Sequence, residues 1–434
     1  MNFKRHLGRL LAVGGVESLG VVIGGVAGLL IVNVLPKDQY AQYTFLVSCL
    51  TLMHSITDTG LAHTCLPIVG QRAHEVPWVI GACRHVFRYR WWLLMLGFVF
   101  VVPYWVVTSQ QHGWNTSGYW LATALVAVAL LFSMRVDYAA TVLTILGYIS
   151  SLTRVGFYAV GARTALVLAV VALPVTQFSL SGFMAATLLA AMINVWFYSK
   201  AFRSHSLEPV RLSTDDAKKV NADLIRIAKP LMLPAIFYQF QGVVTVFIVS
   251  LFGTAEMLAE VGALGRLTMM LVVFDKVAGV LVFPVIAKAA EGKQLMNRIL
   301  LAHALTIGGM ALVLLSALIF PQYWMLLLGP QYKGQQDLLW MAFLATLLIS
   351  CANFAFVTLT SRGNTGRQTL IIPFVLLAQV ACVSYFGVDT LRDVLALGIA
   401  TSLAHFVYQY TMLIVWFNAA RRERERTGST GSDS

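Results

Sequence analysis

The chain has 434 residues, of which 58% are hydrophobic and only 12% are charged. A soluble globular protein averages roughly 45–50% apolar residues, so this composition excludes an ordinary soluble protein and indicates an integral membrane protein. The formal net charge is +12, but Lys and Arg are spread over alternate loops, a distribution that does not indicate a nucleic-acid partner.

Apolar segments recur along the whole sequence, and each is close to the ~20 residues that an α-helix needs to cross a bilayer. The first follows a basic N-terminus, as in a secretory signal, but it continues to Leu35 without a persuasive small-residue cleavage site. We therefore interpret it as a transmembrane helix and predict an all-α integral membrane protein. The predicted spans, about twelve, are Leu10–Leu35, Tyr40–Val69, Trp91–Val107, Tyr119–Leu146, Leu152–Val175, Gly182–Phe202, Pro230–Phe252, Met257–Ala287, Ile299–Phe320, Leu338–Ser361, Thr369–Phe386 and Val394–Phe417.

The positions of Lys and Arg predict the orientation of the chain. They are frequent near both termini and on every second loop, whereas the intervening loops hold only Lys37, Lys333 and Arg392. Cytoplasmic loops carry the excess of basic residues, so this pattern places both termini in the cytoplasm. That topology agrees with an even number of spans.

A polar segment in the middle of the chain divides six predicted spans from six. We predict an N-terminal six-helix bundle over residues 1–205, a cytoplasmic linker over residues 206–228 and a C-terminal six-helix bundle over residues 229–418. Residues 419–434 alternate in charge and then run to Gly, Ser and Thr, a composition that predicts a disordered cytoplasmic tail.

The two halves of the sequence resemble each other. At an offset of 217 residues, LTLM (Leu50–Met53) overlays LTMM (Leu267–Met270), and Asp58 overlays Asp275. Because six spans is an even number, both copies enter the membrane from the same side and run in the same sense. This predicts a parallel repeat, with two six-helix bundles around a central cavity that is exposed to each side in turn.

Several acidic groups lie within the predicted spans. An ionisable group near the bilayer centre costs about 2.5–3.5 kcal/mol on insertion scales, so it normally faces the bundle interior or a wet cavity. His54 precedes Asp58 by four residues, a spacing that would let the two share a hydrogen bond on one helix face. Asp58 and Asp275 have two interpretations, a substrate or coupling role, or simple capping or pairing across the interface between the halves. The candidate coupling or gating residues are Glu17, His54, Asp58 and Asp275.

Basic residues within the spans are the candidates for substrate binding. Arg135 and Asp137 are two residues apart and point to different faces of a helix, so they do not form a self-contained pair. A salt bridge to another helix is the alternative to a substrate contact for Arg135. The residues predicted to line a cationic cavity are Arg135, Arg163, Arg266 and Lys276.

The sequence lacks the motifs of an enzyme. It has no GxSxG, no HExxH and no glycine-rich phosphate loop followed by Lys, and the five cysteines form no closely spaced ligand pair. We therefore predict no catalytic residues, no metal and no cofactor, and this absence favours transport.

Four stretches carry a resemblance to a known family. They are LPKDQYAQYTFLVSCL (Leu35–Leu50), DTGLAHTCLPIVGQRA (Asp58–Ala73), LLLGPQYKGQQDLLWMAF (Leu326–Phe343) and LTSRGNTGRQ (Leu359–Gln368). Together they resemble the polysaccharide biosynthesis and export family, including O-antigen flippases, of the MATE-like (MOP) flippase superfamily. LLLGPQY is the most diagnostic stretch. Ala41-Gln42-Tyr43 departs from the glycine-tyrosine context that is frequent in the family.

The resemblance implies a protein of the bacterial inner membrane, with two six-helix bundles that form a V and open alternately to the two sides. It implies flipping of an undecaprenyl-pyrophosphate-linked oligosaccharide for surface polysaccharide or exopolysaccharide synthesis. Cavities in such proteins are commonly cationic, which suits Arg135, Arg163, Arg266 and Lys276. The implied partners are the lipid-linked glycan, membrane lipids and polysaccharide assembly enzymes, with coupling to H⁺ or Na⁺ left open.

Other functions remain as alternatives at this point. A cation-coupled multidrug exporter of the same superfamily would favour an apolar, acidic cavity, whereas this chain has more basic than acidic residues at depth. A membrane polymerase or glycosyltransferase acting on lipid-linked sugars generally needs a sizeable loop outside the membrane, and the loops here are short. A scaffold within an assembly complex would not need charged residues facing a lumen.

Overall fold

The computed structural model describes residues 3–172, 179–278, 293–361 and 367–429, and within these ranges the regular structure is helical, without strands. Short 3₁₀ turns cover Gly70–Arg72, Pro330–Leu338 and Gln368–Leu370. The α-helices are α1 (Phe3–Val34), α2 (Lys37–Asp58), α3 (Leu61–Val69), α4 (Val76–Arg88), α5 (Arg90–Gln111), α6 (Ser117–Ile145), α7 (Ile149–Ala172), α8 (Ser179–Ser204), α9 (Thr214–Gln241), α10 (Val244–Phe252), α11 (Ala255–Val277), α12 (Lys293–Ile319), α13 (Pro321–Leu326), α14 (Leu339–Ser361), α15 (Ile371–Phe386) and α16 (Leu391–Ser429).

In the described part of the chain, nine helical segments are long and apolar enough to cross a membrane. They coincide with nine of the twelve predicted spans, the third to sixth and the eighth to twelfth. The other three predicted spans correspond to α1, to α2 followed by α3, and to α9 followed by α10. The all-α membrane fold predicted from composition is therefore confirmed.

The second predicted span is interrupted in its middle. Thr59 and Gly60 have φ angles of 38° and 85°, in the left-handed region, and this backbone ends α2 and begins α3. Glycine adopts such angles without steric cost, whereas the β-branched Thr59 is unusual there. The apolar pattern of the sequence does not reveal this break, because the pattern continues on both sides of Thr59 and Gly60.

Contacts group the helices into two compact units. The N-terminal unit comprises Val22–Ala263, and the C-terminal unit comprises Met1–Val21 with Leu264–Ser434. The grouping assigns α9, α10 and the start of α11 to the N-terminal unit. Helix α9 begins at Thr214, inside the predicted linker over residues 206–228, and α10 and α11 follow that linker. The helical backbone of α16 continues to Ser429, past the predicted start of the tail at residue 419.

The internal repeat is visible in how each unit packs. In the N-terminal unit, α8 packs on both α6 and α7, and in the C-terminal unit, α16 packs on both α14 and α15. Asp58 ends α2, and the overlaid Asp275 lies in the last turn of α11. The helices of the two copies thus follow in the same order, as the offset in the sequence predicts.

A short amphipathic helix, α4, covers part of the N-terminal unit. Val79, Cys83 and Val86 follow the spacing of one helical face and are buried where α4 packs on α3, α6 and α9. Arg84 and Arg88 are one turn apart and are exposed. All five cysteines of the chain are buried and free, so none forms a disulfide.

Candidate functional site

The end of α2 creates a polar site inside the N-terminal unit. The last four carbonyl groups of a helix have no partner within that helix, and their end of the helix carries a partial negative charge. Because α2 ends at Asp58, the carbonyl of Thr57 is one of these groups. Arg90, the first residue of α5, donates from Nε to this carbonyl at 3.2 Å.

Arg90 holds two carboxylates near this helix end. Its Nη1 donates to Asp137 Oδ2 on α6 at 2.7 Å, and its Nη2 lies 3.9 Å from Asp58 Oδ1. The Arg90 side chain is only 1% exposed, so these contacts are made away from bulk solvent. A buried guanidinium stays charged and needs such partners, because isolated charges are strongly disfavoured in the interior.

His54 completes the site, but not through the partner that its spacing predicts. Its Nε2 lies 3.1 Å from Asp137 Oδ2, on the neighbouring helix α6. The predicted pairing with Asp58 is therefore wrong. Asp58 lies at the end of α2, where its carboxylate is directed towards α3 and Arg90, so His54 pairs across the helix interface instead.

Asp58 also has a capping contact. Its Oδ1 accepts a hydrogen bond from the backbone N–H of Ala62, in the first turn of α3, at 3.3 Å. A carboxylate near the N-terminus of a helix is favourable because it accepts from backbone groups that have no helical partner. Asp58 thus bridges the break between α2 and α3 and lies within ion-pair distance of Arg90 in the same unit. Its coupling role stays a prediction.

The overlaid acid, Asp275, lies in the C-terminal unit. Its Oδ2 accepts a hydrogen bond from Ser350 Oγ of α14 at 2.8 Å. In each unit, the repeated acid is linked to a later helix. Asp58 is linked to α6 through Arg90, which also bonds to Asp137. Asp275 bonds directly to Ser350 of α14.

The remaining predicted residues lie at separate places. Glu17 is within α1, but its side chain falls outside the part of the structure that is described. Arg266 is half-buried on α11, with Nη1 at 3.7 Å from Met269 Sδ, and Lys276 is exposed near the end of the same helix. Arg163 is exposed on α7.

Arg135 lines a cavity of the N-terminal unit that we call the arginine pocket. It has a volume of about 950 Å³ and lies between α4, the start of α5, α6 and residues 209–217. Among the residues that the structure describes, no Asp or Glu lines it, and Arg163 is not part of it. The basic side chains that line it are Arg84, His85, Arg88, Arg90, Arg135 and Arg211.

A second charged cluster joins the start of α2 to the start of α11 within the N-terminal unit. Lys37 Nζ donates to Glu256 Oε1 at 2.6 Å and to Glu260 Oε1 at 3.1 Å. The Glu260 side chain is buried, so this pair is partly shielded from solvent. Burial lowers the pKa of Lys37, but its hydrogen bonds and charge interactions with both glutamates outweigh this and raise the pKa overall.

Sequence reasoning missed the central residue of the polar site. In the sequence, Arg90 lies in the stretch RHVFRYRWW just before the third predicted span, where it is indistinguishable from the exposed Arg84 and Arg88. The partner of Arg90 on α6 is Asp137, which the sequence analysis noted only as a neighbour of Arg135. Tertiary packing identifies the pair, because the two residues are far apart in the chain.

Comparison with known proteins identifies the fold. No family model matches the sequence, and no curated protein matches it. A solved structure described as the inward-facing conformation of a multidrug resistance MATE family transporter of the MOP superfamily matches with a TM-score of 0.72 at 15% identity, covering 95% of this chain and 96% of that chain. A crystal structure of MATE in complex with MaL6 matches with a TM-score of 0.61 at 16% identity, covering 95% of each chain.

These matches define a class of fold. Almost the whole chain follows the two-lobed helical fold of MATE transporters, and the protein is a multi-pass membrane protein. At 15–16% identity the likeness concerns architecture and not cargo. The matched proteins are described as transporters, and none of these descriptions names an enzyme.

Proposed function

We propose that the chain is a transporter of the bacterial inner membrane, with both termini in the cytoplasm, that flips an undecaprenyl-pyrophosphate-linked oligosaccharide by alternating access for surface polysaccharide synthesis. The transporter fold supports the general activity. The stretches that resemble the O-antigen flippase family support the cargo. The observation that carries the choice of cargo is the imbalance of charge within the N-terminal unit.

The acids of the N-terminal unit's polar site are matched by local cations, Arg90 among them. The other four arginines of the pocket form no ion pair with the acids that the structure describes. Asp58 and Asp137 lie near Arg90, and Asp137 also contacts His54. Arg135 shares the pocket with Arg84, Arg88 and Arg211, and no acid lines it. Fixed cations gathered in one cavity attract a diphosphate and repel a cationic drug.

The polar site also supports a proposal for coupling. Two ionised carboxylates, Asp58 and Asp137, carry two negative charges, and Arg90 supplies one positive charge. A proton on His54 makes this set neutral, and its loss leaves one net negative charge within the bundle. We propose that uptake and release of this proton, or of a cation in its place, biases the transport cycle, with Glu17 and Asp275 as further candidates.

Alternating access needs a contact that forms and breaks between equivalent parts of the repeat. The ion pairs of Lys37 with Glu256 and Glu260 join the first turn of α2 to the first turns of α11. Helix α11 is the one whose sequence matches that of α2 in the internal repeat. Lys37 and Glu256 lie between predicted spans, on the extracytoplasmic side of the proposed topology, and Glu260 lies in the first turn of the predicted span that follows Glu256. We propose that they form a gate contact there.

The cargo can be tested directly. Proteoliposomes loaded with an undecaprenyl-diphosphate oligosaccharide would be assayed for exposure of the glycan to an added glycosidase, and parallel vesicles for uptake of ethidium. We expect glycan movement without ethidium transport, and at least a tenfold loss of glycan movement in Arg135→Ala, equivalent to about 1.4 kcal/mol. Asp215→Asn, which changes a fully exposed acid, serves as the control variant.

The alternatives make different predictions in the same assay. Ethidium transport without glycan movement would identify a cation exporter and overturn the proposed cargo. Glycan transfer or polymerisation by the purified chain would indicate an enzyme. Movement of glycan that is unchanged in Arg135→Ala would remove Arg135 from the cargo path. Genomic neighbours that encode glycosyltransferases would support the role in polysaccharide assembly.

A further inference from the structure

The arginine pocket is built as a site for an anion. Five arginines and one histidine line it, and one of them, Arg90, is fixed by hydrogen bonds to Thr57 and Asp137. Arg84, Arg88, Arg135 and Arg211 are exposed within or around it, and none of these four forms an ion pair with the acids that the structure describes. Like charges gathered in one cavity repel each other, so the cluster favours a multivalent anion.

The walls of the pocket are held in place by specific contacts. His85 and Tyr89 both bond to Asn221 Oδ1 on α9, at 2.7 Å and 2.8 Å, which fixes α4 against α9. Gly81 of α4 lets residues 209–212 approach closely, because a Cβ at this position would lie 2.8 Å from Leu212 Cδ2. The segment that carries Arg211 is therefore packed directly over α4.

An exposed apolar surface begins at the same pocket. Trp91 lines the pocket and is 47% exposed, and Trp92 beside it is 75% exposed. Tryptophan is enriched at the level of the lipid headgroups, so the pair places the pocket at the membrane interface. The exposed stripe on α5 continues from Trp91 at helical spacing through Met95, Phe98, Val99 and Val102.

We infer that the arginine pocket binds the phosphate headgroup of a lipid from the cytoplasmic leaflet, with the hydrocarbon chain of that lipid lying along the α5 stripe. Cations at the headgroup level and a hydrophobic stripe below them match the two parts of such a molecule. A free phosphate would use the cations alone and would leave the stripe without a role. Headgroup binding does not depend on the transport proposed above, and a diphosphate-linked cargo is one lipid that meets the requirement.

Three probes separate the lipid from a free anion. Farnesyl diphosphate has both a phosphate group and an apolar chain, inorganic pyrophosphate has only the anion, and farnesol has only the chain. Each would be titrated into the purified full-length protein in neutral detergent, and binding would be measured by native mass spectrometry. We expect farnesyl diphosphate to bind at least about tenfold more tightly than either partial probe.

Variants locate the binding in the pocket. Arg84→Gln, Arg88→Gln and Arg211→Gln are each expected to weaken farnesyl diphosphate binding about fivefold, because one basic residue near a charged lipid surface contributes about 1 kcal/mol. Arg154→Gln, which removes an exposed arginine on α7 outside the pocket, is the matched control and should leave binding unchanged. Elution as a single symmetric peak in size-exclusion chromatography would verify that each variant is folded.

The outcomes distinguish this inference from the proposed function. Equal affinity for pyrophosphate and farnesyl diphosphate would overturn the lipid assignment, and equal loss in Arg154→Gln would overturn the pocket assignment. Specific binding through the pocket by a chain that moves no lipid-linked glycan would contradict the proposed transport and support this site. Glycan transport by a chain that binds no farnesyl diphosphate would contradict this binding site and support the proposed transport.

Discussion

Gly262 of α11 packs directly against Thr44 of α2. A Cβ at Gly262 would lie 2.4 Å from Thr44 Oγ1 and 2.8 Å from Thr44 Cγ2, closer than real side chains approach. Small residues let membrane helices pack closely. Here the two closely packed helices, α2 and α11, are the ones whose sequences match each other in the internal repeat. Thr44 and Gly262 both lie in the N-terminal halves of their helices, as do Lys37 and its partners Glu256 and Glu260.

Gly262→Ala is expected to separate α2 from α11 at this point. Forcing a methyl group into such a contact costs about 1–3 kcal/mol, which should lower the thermal unfolding temperature in detergent and slow transport. Gly265→Ala is the matched control, because nothing lies within 4 Å of its added Cβ and alanine is the better helix former. If both variants were equally stable, close packing at Gly262 would have no energetic consequence.

Lys37→Met is expected to destabilise the protein by about 1–3 kcal/mol, because it removes two charge-assisted hydrogen bonds from Glu256 and Glu260. Lys37→Arg should retain most of this stability. The raised pKa of Lys37 means that its contribution is fully present below pH 10.5 and is lost as pH rises through the folded-state pKa. Unfolding temperatures of wild type and Lys37→Met should therefore differ at pH 8 and converge above pH 10.5. A difference that persists at high pH would show that packing of the stem, and not charge, is responsible.

Asp137→Asn is expected to destabilise the N-terminal unit strongly. Removing one partner of a buried ion pair costs about 3 kcal/mol or more, and this change weakens the contacts of both Arg90 and His54. The double variant Arg90→Met, Asp137→Asn should be less destabilised than the sum of the two single changes, because it leaves no unmatched guanidinium. A thermal-unfolding double-mutant cycle measures this coupling, and strict additivity would show that the two side chains do not interact energetically.

Asp58→Asn separates the capping role of Asp58 from its charge. The amide oxygen can still accept from Ala62 N–H, so the break between α2 and α3 should survive, while the negative charge near Arg90 is lost. We expect a folded protein whose transport has an altered dependence on pH or on sodium. Transport rates would be measured across pH and sodium series, with Asp215→Asn as the control. Unchanged dependence on both would exclude Asp58 from coupling.

The helices were largely predictable from sequence, because a long apolar segment in a bilayer satisfies its backbone hydrogen bonds internally by forming a helix. The break after Asp58 was not, since Thr59 and Gly60 interrupt the helix without interrupting the apolar pattern. The carboxylate itself was recognised as significant, and both a capping and a charge interaction are present. Its guanidinium partner was missed because nothing local distinguishes Arg90 from the exposed arginines before it.

The substrate residues illustrate a second limit. Depth in a predicted span makes Arg135 a candidate, and the structure places it beside four arginines from the basic segments between spans, Arg84, Arg88, Arg90 and Arg211. Arg163, selected by the same reasoning, is exposed on a different helix. Depth along a helix is readable from sequence, but the face that a residue occupies depends on which helices pack together.

The burial of all five cysteines has a practical consequence. Thiols enclosed in this way are shielded from reagents that cannot enter the membrane. The native cysteines of the unmodified chain should therefore react little with such reagents. A cysteine introduced at an exposed loop position would then be the main target of a charged maleimide. Such labels can map which surfaces face each side of the bilayer without first removing the native sulfur atoms.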